Sequence, residues 1–475
     1  MKAPLLFATL ITMPSLTADT SLTIYNQGIG VVRETINLDL KEGVTSVSFD
    51  QATAQVRPDS VVLRDPAGNA NFSILEQSYR NDPVSQGLLL QYFEGETIEF
   101  QTQVDNKPET VTGKIIRSGY VPGGRGNTSP IIEVGGKLQF SLPGQPIFPA
   151  LGDDSILRPT LSWQIGSGAA AQFPAQLSYI SNGFNWSATY NVVAPEKGET
   201  VTINGWTTIT NNSGTGFDNS KIKLVAGEVE VNSSVDYMVQ EAGARLKAPE
   251  AFHTAAAVEQ KAFDDFHLYT LPRPLTIRDR ETKQVEFLGS NKVQANKRYI
   301  YAPFSYHYYG SWNFNSQRGS EFSREVETYW EFKNSEENGL GVPFPAGNMR
   351  FYRSDEADGN IEFVGENKID HTTKNELISV QTGEAFDLLG DRTVKNFQTD
   401  SKRFAKETIE IVLTNRSEEP KTITAREPLW RFTNWKIEDA SHEFEKVNAQ
   451  LIEFTEEVPA DSKVTITYTA HYFDR

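Results

Sequence analysis

A chain of 475 residues is too long for one hydrophobic core and points to several domains. Its net charge of −17 repels other polyanions and argues against nucleic acid as a partner, and the absence of cysteine excludes disulfides, thiolate catalysis and cysteine-ligated metal. The hydrophobic runs are rich in Phe, Tyr, Thr, Val and Ile and poor in the Ala, Leu and Glu that helices prefer, so the predicted fold class is all-β: multi-domain β-sandwiches with a small inserted β barrel.

Residues 1–18, MKAPLLFATLITMPSLTA, combine a lysine, a short apolar run and small residues before Ala18, the pattern of a secretory signal peptide. The mature chain is therefore expected to begin near Asp19 and to be periplasmic or secreted. Neither this run nor any later one approaches the ~20 apolar residues of a transmembrane helix, so no such segment is expected in the mature chain.

Residues 19–87 alternate apolar and polar positions about turns at Asn26–Gly30 and Arg57–Pro58, as an N-terminal β region should. Glycine-rich turns crowd residues 88–150, and such a cadence predicts the small barrel, inserted between sandwich elements. Longer strands return over 151–240, a β-sandwich region. Here Trp163 and Trp186 either fill the core or line a binding groove, and the area that an indole buries favours the core. The oxygen-rich loop NNSGTGFDN (211–219) raises a Ca²⁺ site but lacks its regular ligand spacing. Residues 241–262 read as a linker and 263–475 as a C-terminal sandwich domain.

The stretch Asn334–Asp391 holds the densest set of ionisable groups beside a hydrophobic run. Its glycines and prolines, from Gly339 to Gly347, predict a rigid loop between strands. The following strand carries Glu366, Lys368, Asp370 and His371. Catalytic candidates are Glu366, Asp370 and His371; binding candidates are Arg392, Arg353, Lys283, Asp387, Trp163 and Trp186. On an extended strand Glu366 and Asp370 lie about 13 Å apart, too far for the usual pairing of two catalytic carboxylates, so a second one must come from Glu384, Asp387 or Asp391. An alternative has Asp370 and His371 bracing a turn, the arginines in structural ion pairs, and Lys283 setting register. The six histidines form no HExxH or other compact ligand set, so no metal and no cofactor is expected.

Six phrases, YISNGFNWSATYNVV, TITNNSGTGFDNSKIKLVAGEV, LPRPLTIRDRETKQVEFL, NGLGVPFPAGNMRFYRSD, FVGENKIDHTTKNE and GEAFDLLGDR, together resemble the bacterial family named domain of unknown function 4139. The later portion is similar to proteins of the mucoidy inhibitor A family. The resemblance runs from about Ser21 to the C-terminus and implies an exported, mostly β protein, here without the coiled coil of those relatives. With no nucleophile elbow and no phosphate loop in the sequence, the favoured expectation is a soluble periplasmic binding or envelope-associated protein. The alternatives are a hydrolase or lyase acting on polysaccharide or peptide through carboxylates and histidine, and a protein-interaction module. Expected partners are a cell-envelope polysaccharide, peptide or protein.

Overall fold

The computed structural model describes residues 20–121, 129–151, 155–227, 259–263, 266–303, 323–355, 357–400, 404–432 and 434–473. The signal peptide lies outside these residues, as does the linker apart from 259–262. The chain is all-β, its strands forming several discrete sheets, with one α-helix, Gln86–Tyr92, among the described residues. No helix among the described residues is long and apolar enough to cross a membrane.

Two compact units divide the chain, and they interleave in sequence. The first takes the residues up to Trp186 together with Ile209–Val229 and Glu259–Lys283; the second contains Ser187–Thr208 and Gln284–Arg475. This corrects the expected sequential boundaries, for a reason that lies in strand pairing. Ser21–Tyr25 pairs in parallel with Phe217–Ala226, and Ile29–Leu40 pairs with Ala171–Asn182, so residues 19–87 and 151–240 share one sheet. Residues 259–262, read as linker, belong to the strand Glu259–Phe263. That strand pairs with Phe266–Thr270 of the same unit, which removes both from the C-terminal sandwich.

In the first unit, alternation places Val32, Leu38 and Leu40 on the buried face of one strand and Leu177 and Tyr179 on that of its neighbour. A three-stranded sheet, Gly43–Phe49, Thr160–Ser167 and Phe72–Arg80, contributes Leu161, Trp163 and Ile165 as buried residues. Burial of each such side chain contributes roughly 1.5–3 kcal/mol. The stretch expected as a barrel forms a five-stranded antiparallel sheet with its own core of Leu90, Ile98, Phe100, Ile115 and Ile132. Its hydrogen-bonded path runs from Gln145–Ile147 to Lys137–Gln139, and those two end strands are not bonded to each other among the described residues.

In the second unit the C-terminal strands Phe404–Asn415 and Ser462–Phe473 pair along their whole length over a core that includes Ile409, Ile411, Phe454 and Ile466. Among the described residues three strand ends are fastened by a fully buried asparagine: Asn211 in the first unit, Asn334 and Asn415 in the second. Asn211 donates to the Thr215 carbonyl (2.8 Å) and accepts from the Ser213 amide (3.1 Å); Asn415 does the same with Glu419 and Ser417. The side chain of Asn211 thus closes its own loop.

Candidate functional site

Seven strands carry the sheet that frames the site: Ile361–Ile369, Gly347–Ser354, Phe184–Ala194, Thr200–Asn211, Glu281–Tyr301, Glu325–Lys333 and Leu377–Thr399. The sheet curls until its first and last strands meet. Two β-bulges make the meeting. Phe351 stands opposite Gly365 and Tyr352 opposite Phe363, which leaves Val364 as an extra residue; Thr328 stands opposite Gly383 and Tyr329 opposite Gln381, which leaves Thr382 as another. Bulges bend a strand and redirect side chains, and they concentrate beside functional sites.

Gly365 and Gly383 have φ values of 154° and 152°. A Cβ on Gly365 would lie 1.9 Å from the carbonyl oxygen of Thr382, so only glycine fits there. Gly365→Ala is expected to push the two strands apart and to destabilise the second unit by about 1–3 kcal/mol. Chemical denaturation checks this; an unchanged midpoint would mean the strands do not depend on that contact.

Where the bulges meet, a cleft of about 150 Å³ opens. Its floor is Trp330, which is buried and stacked on Phe351 at 6.2 Å between ring centroids. Thr328 and Thr382 line the walls and Lys297 and Arg353 bring charge, while Glu384, opposite Glu327 and so on the other face from Thr328 and Trp330, borders the cleft. Lys297 lies directly opposite Trp330 and so shares its face, and its ammonium stands 5.2 Å from the Tyr299 ring. Arg353 continues the row of Met349 and Phe351 at the end of its strand, where its guanidinium donates to the Glu196 carbonyl. Among the described residues Lys297 forms no ion pair. Barrel mouths and sheet ends of this kind are common ligand sites, an apolar floor with a few convergent polar groups above it.

Of the candidates read from sequence, Arg353 lies in the cleft, Glu384 borders it and the others lie elsewhere. Glu366 is exposed and forms an ion pair with Arg350 at 2.8 Å. Asp370 is also exposed, and its carbonyl accepts from the Thr372 hydroxyl at 3.0 Å. The His371 Nδ1 accepts from the Ala346 amide at 3.1 Å, bracing the Gly339–Gly347 loop against the strand end. Arg392 does not join them: it is buried, with Nε 2.9 Å from Glu427 Oε2. The convergent Glu366, Asp370, His371 and Arg392 cluster is therefore corrected to three surface contacts and one core ion pair, because Arg392 finds its carboxylate 35 residues along the chain.

Asp387 is exposed, and its carbonyl accepts from the Arg416 amide at 2.8 Å. Lys283 donates to the Thr276 carbonyl and lies 3.2 Å from Glu281, a brace within the first unit. The groove reading of the tryptophans is likewise corrected. Trp163 is buried with its Nε1 donating to Gln77 (2.8 Å), and Trp186 is buried with its Nε1 donating to the Val225 carbonyl (3.1 Å). Among the described residues no group of three or more His, Asp or Glu is placed to hold a metal ion.

Sequence reasoning missed Lys297, Trp330, Thr328 and Thr382. A signal existed in the isolated glycines of FVGEN and QTGEA, since a glycine inside a strand marks a bulge or a close backbone approach. No family model and no curated protein matches the chain.

Proposed function

We propose that this is an exported binding protein of the cell envelope, related to the domain of unknown function 4139 proteins, whose ligand seats in the cleft between the two bulges. The single observation that supports it is the pair of cationic side chains, Lys297 and Arg353, brought to one cleft beside the buried Trp330. Strands fix their backbones, so the groups are preorganised and little ordering cost falls on binding. The leader-like residues 1–18 support export, and a native protein whose mass begins near Asp19 is the outcome expected for that half of the reading. The envelope offers polysaccharides, peptides and proteins, and a cleft this small takes one head group from any of them.

The test is a titration of the purified protein with free amino acids, hexuronates and neutral hexoses, followed through the amide resonances of Thr328, Thr382 and Gly383. A saturable shift confined to the cleft is expected from at least one class. Equal silence from all three, or shifts only at distant residues, would contradict the reading.

A further inference from the structure

The cleft collects two cations and leaves the nearest carboxylates outside. Lys297 and Arg353 both line it, and neither forms an ion pair among the described residues. Glu384 borders the cleft but stands opposite Glu327, on the face away from Thr328 and Trp330. Glu362, opposite Arg353 on the neighbouring strand, is not part of the lining and is exposed, where water screens its charge. Cations that share so small a space repel one another, and an anion placed between them removes the repulsion. Beside them Thr328 and Thr382 add hydroxyls, and Ala194, Trp330 and Val364 add apolar surface.

We infer that the cleft binds a carboxylate on a small, apolar and otherwise uncharged body, the end group of a peptide chain, with the carboxylate between Lys297 and Arg353. The inference rests on the binding reading above and names the ligand class for the same cleft. One nitrogen of Arg353 is held by the Glu196 carbonyl, which fixes the guanidinium and leaves donors on its other nitrogens for a carboxylate oxygen. The carbon atoms beside the carboxylate then lie against Ala194, Trp330 and Val364. A free amino acid brings its ammonium to the same two cations with no acid turned toward it, so the blocked form fits better. The net charge of −17 repels a dianion such as phosphate more strongly than a monoanion. Trp330 is 5% exposed, too little for a sugar ring to stack on, which disfavours a carbohydrate. Size agrees with charge. At about 150 Å³ the cleft is well below the roughly 300 Å³ at which pockets for drug-sized ligands begin, so one end group enters and the remainder of the molecule stays outside.

Five probes decide the class on the unmodified protein: N-acetylalanine; N-acetylalaninamide, which lacks the carboxylate; alanine, which adds an ammonium; glucuronate; and inorganic phosphate. Calorimetric or resonance titration should show N-acetylalanine binding best, with an affinity that falls as salt rises. N-acetylalaninamide should be weaker by about ten-fold or more, the loss of one charge-assisted hydrogen bond. Lys297→Gln and Arg353→Gln should each weaken N-acetylalanine by a similar factor and leave N-acetylalaninamide unchanged. Lys297 is exposed, so its variant decides the matter if Arg353→Gln does not fold. An N-acetylalanine affinity unchanged in Lys297→Gln would overturn the inference. Any of the other four probes binding as tightly as N-acetylalanine would also overturn it and leave the binding reading standing. Silence from all five would overturn it too, and the binding reading would then survive only if a neutral hexose shifted the cleft resonances.

Discussion

Glu427→Ala should cost the second unit about 3–5 kcal/mol, because it removes the buried carboxylate that the Arg392 guanidinium is paired with in the core. Arg392 and Glu427 are both buried; Arg392 Nε lies 3.1 and 2.9 Å from the two carboxylate oxygens, and the Tyr468 hydroxyl donates to Oε2 at 2.6 Å. Burial pushes the Glu427 carboxyl above its ordinary range, while the guanidinium and the phenol pull it back. A second buried set stands in the same unit: Arg431 on Glu407 at 2.7 Å, the Tyr472 hydroxyl donating to the other oxygen at 2.9 Å, and the Phe397 ring 4.4 Å from the guanidinium. Truncating one partner is expensive, but replacing Arg392, Glu427 and Tyr468 together by Met, Leu and Phe should leave stability within about 1–2 kcal/mol of the native chain, since no buried charge then lacks a partner. Guanidinium denaturation of the two variants reads the contrast. A Glu427→Ala midpoint close to native would mean that water reaches the abandoned Arg392.

Glu34→Gln should stabilise the first unit by about 3 kcal/mol at pH 8 and leave it unchanged at pH 4. Glu34 occupies an inward position in the row of Val32 and Leu38, directly opposite Leu177, and burial raises its carboxyl from 4.5 to about 7. The Tyr179 hydroxyl is also pushed up, by burial and then by the nearby Glu34. In the native state Glu34 keeps its proton to about pH 7, whereas the unfolded chain releases it near 4.5. Between those values the native state binds more protons, so its stability is complete below the lower one and is lost as pH rises through the higher one. Glutamine has the shape of the protonated acid and no proton to lose. Denaturation midpoints across pH 4–8 test this, and parallel curves for the two proteins would contradict the buried, protonated carboxyl.

Fold class was legible in the sequence because its evidence is local. Alternation in INLDL and SWQIG places every second side chain inward whatever the strand's partner proves to be. Domain boundaries were less legible, because they depend on pairing across long separations: Ser21–Tyr25 finds Phe217–Ala226 only after the five-stranded insertion has been closed off. The same limit governed the site. Glu366, Asp370 and His371 are close in sequence, yet Glu366 is held by Arg350 and His371 by Ala346, local partners that the strand and loop supply. The cleft draws instead on strands distributed from Ala194 to Glu384, and local reading could announce it only through Gly365 and Gly383, whose φ values and backbone contact expose the seam.

The most direct measurement is a set of crystal structures of the protein grown with saturating alanine, glucuronate or glucose. The expected result is density for at least one of them beside Trp330, within hydrogen-bond reach of Arg353 or Lys297. A cleft that contains only water at saturating ligand, or density bound at another surface, would contradict the site.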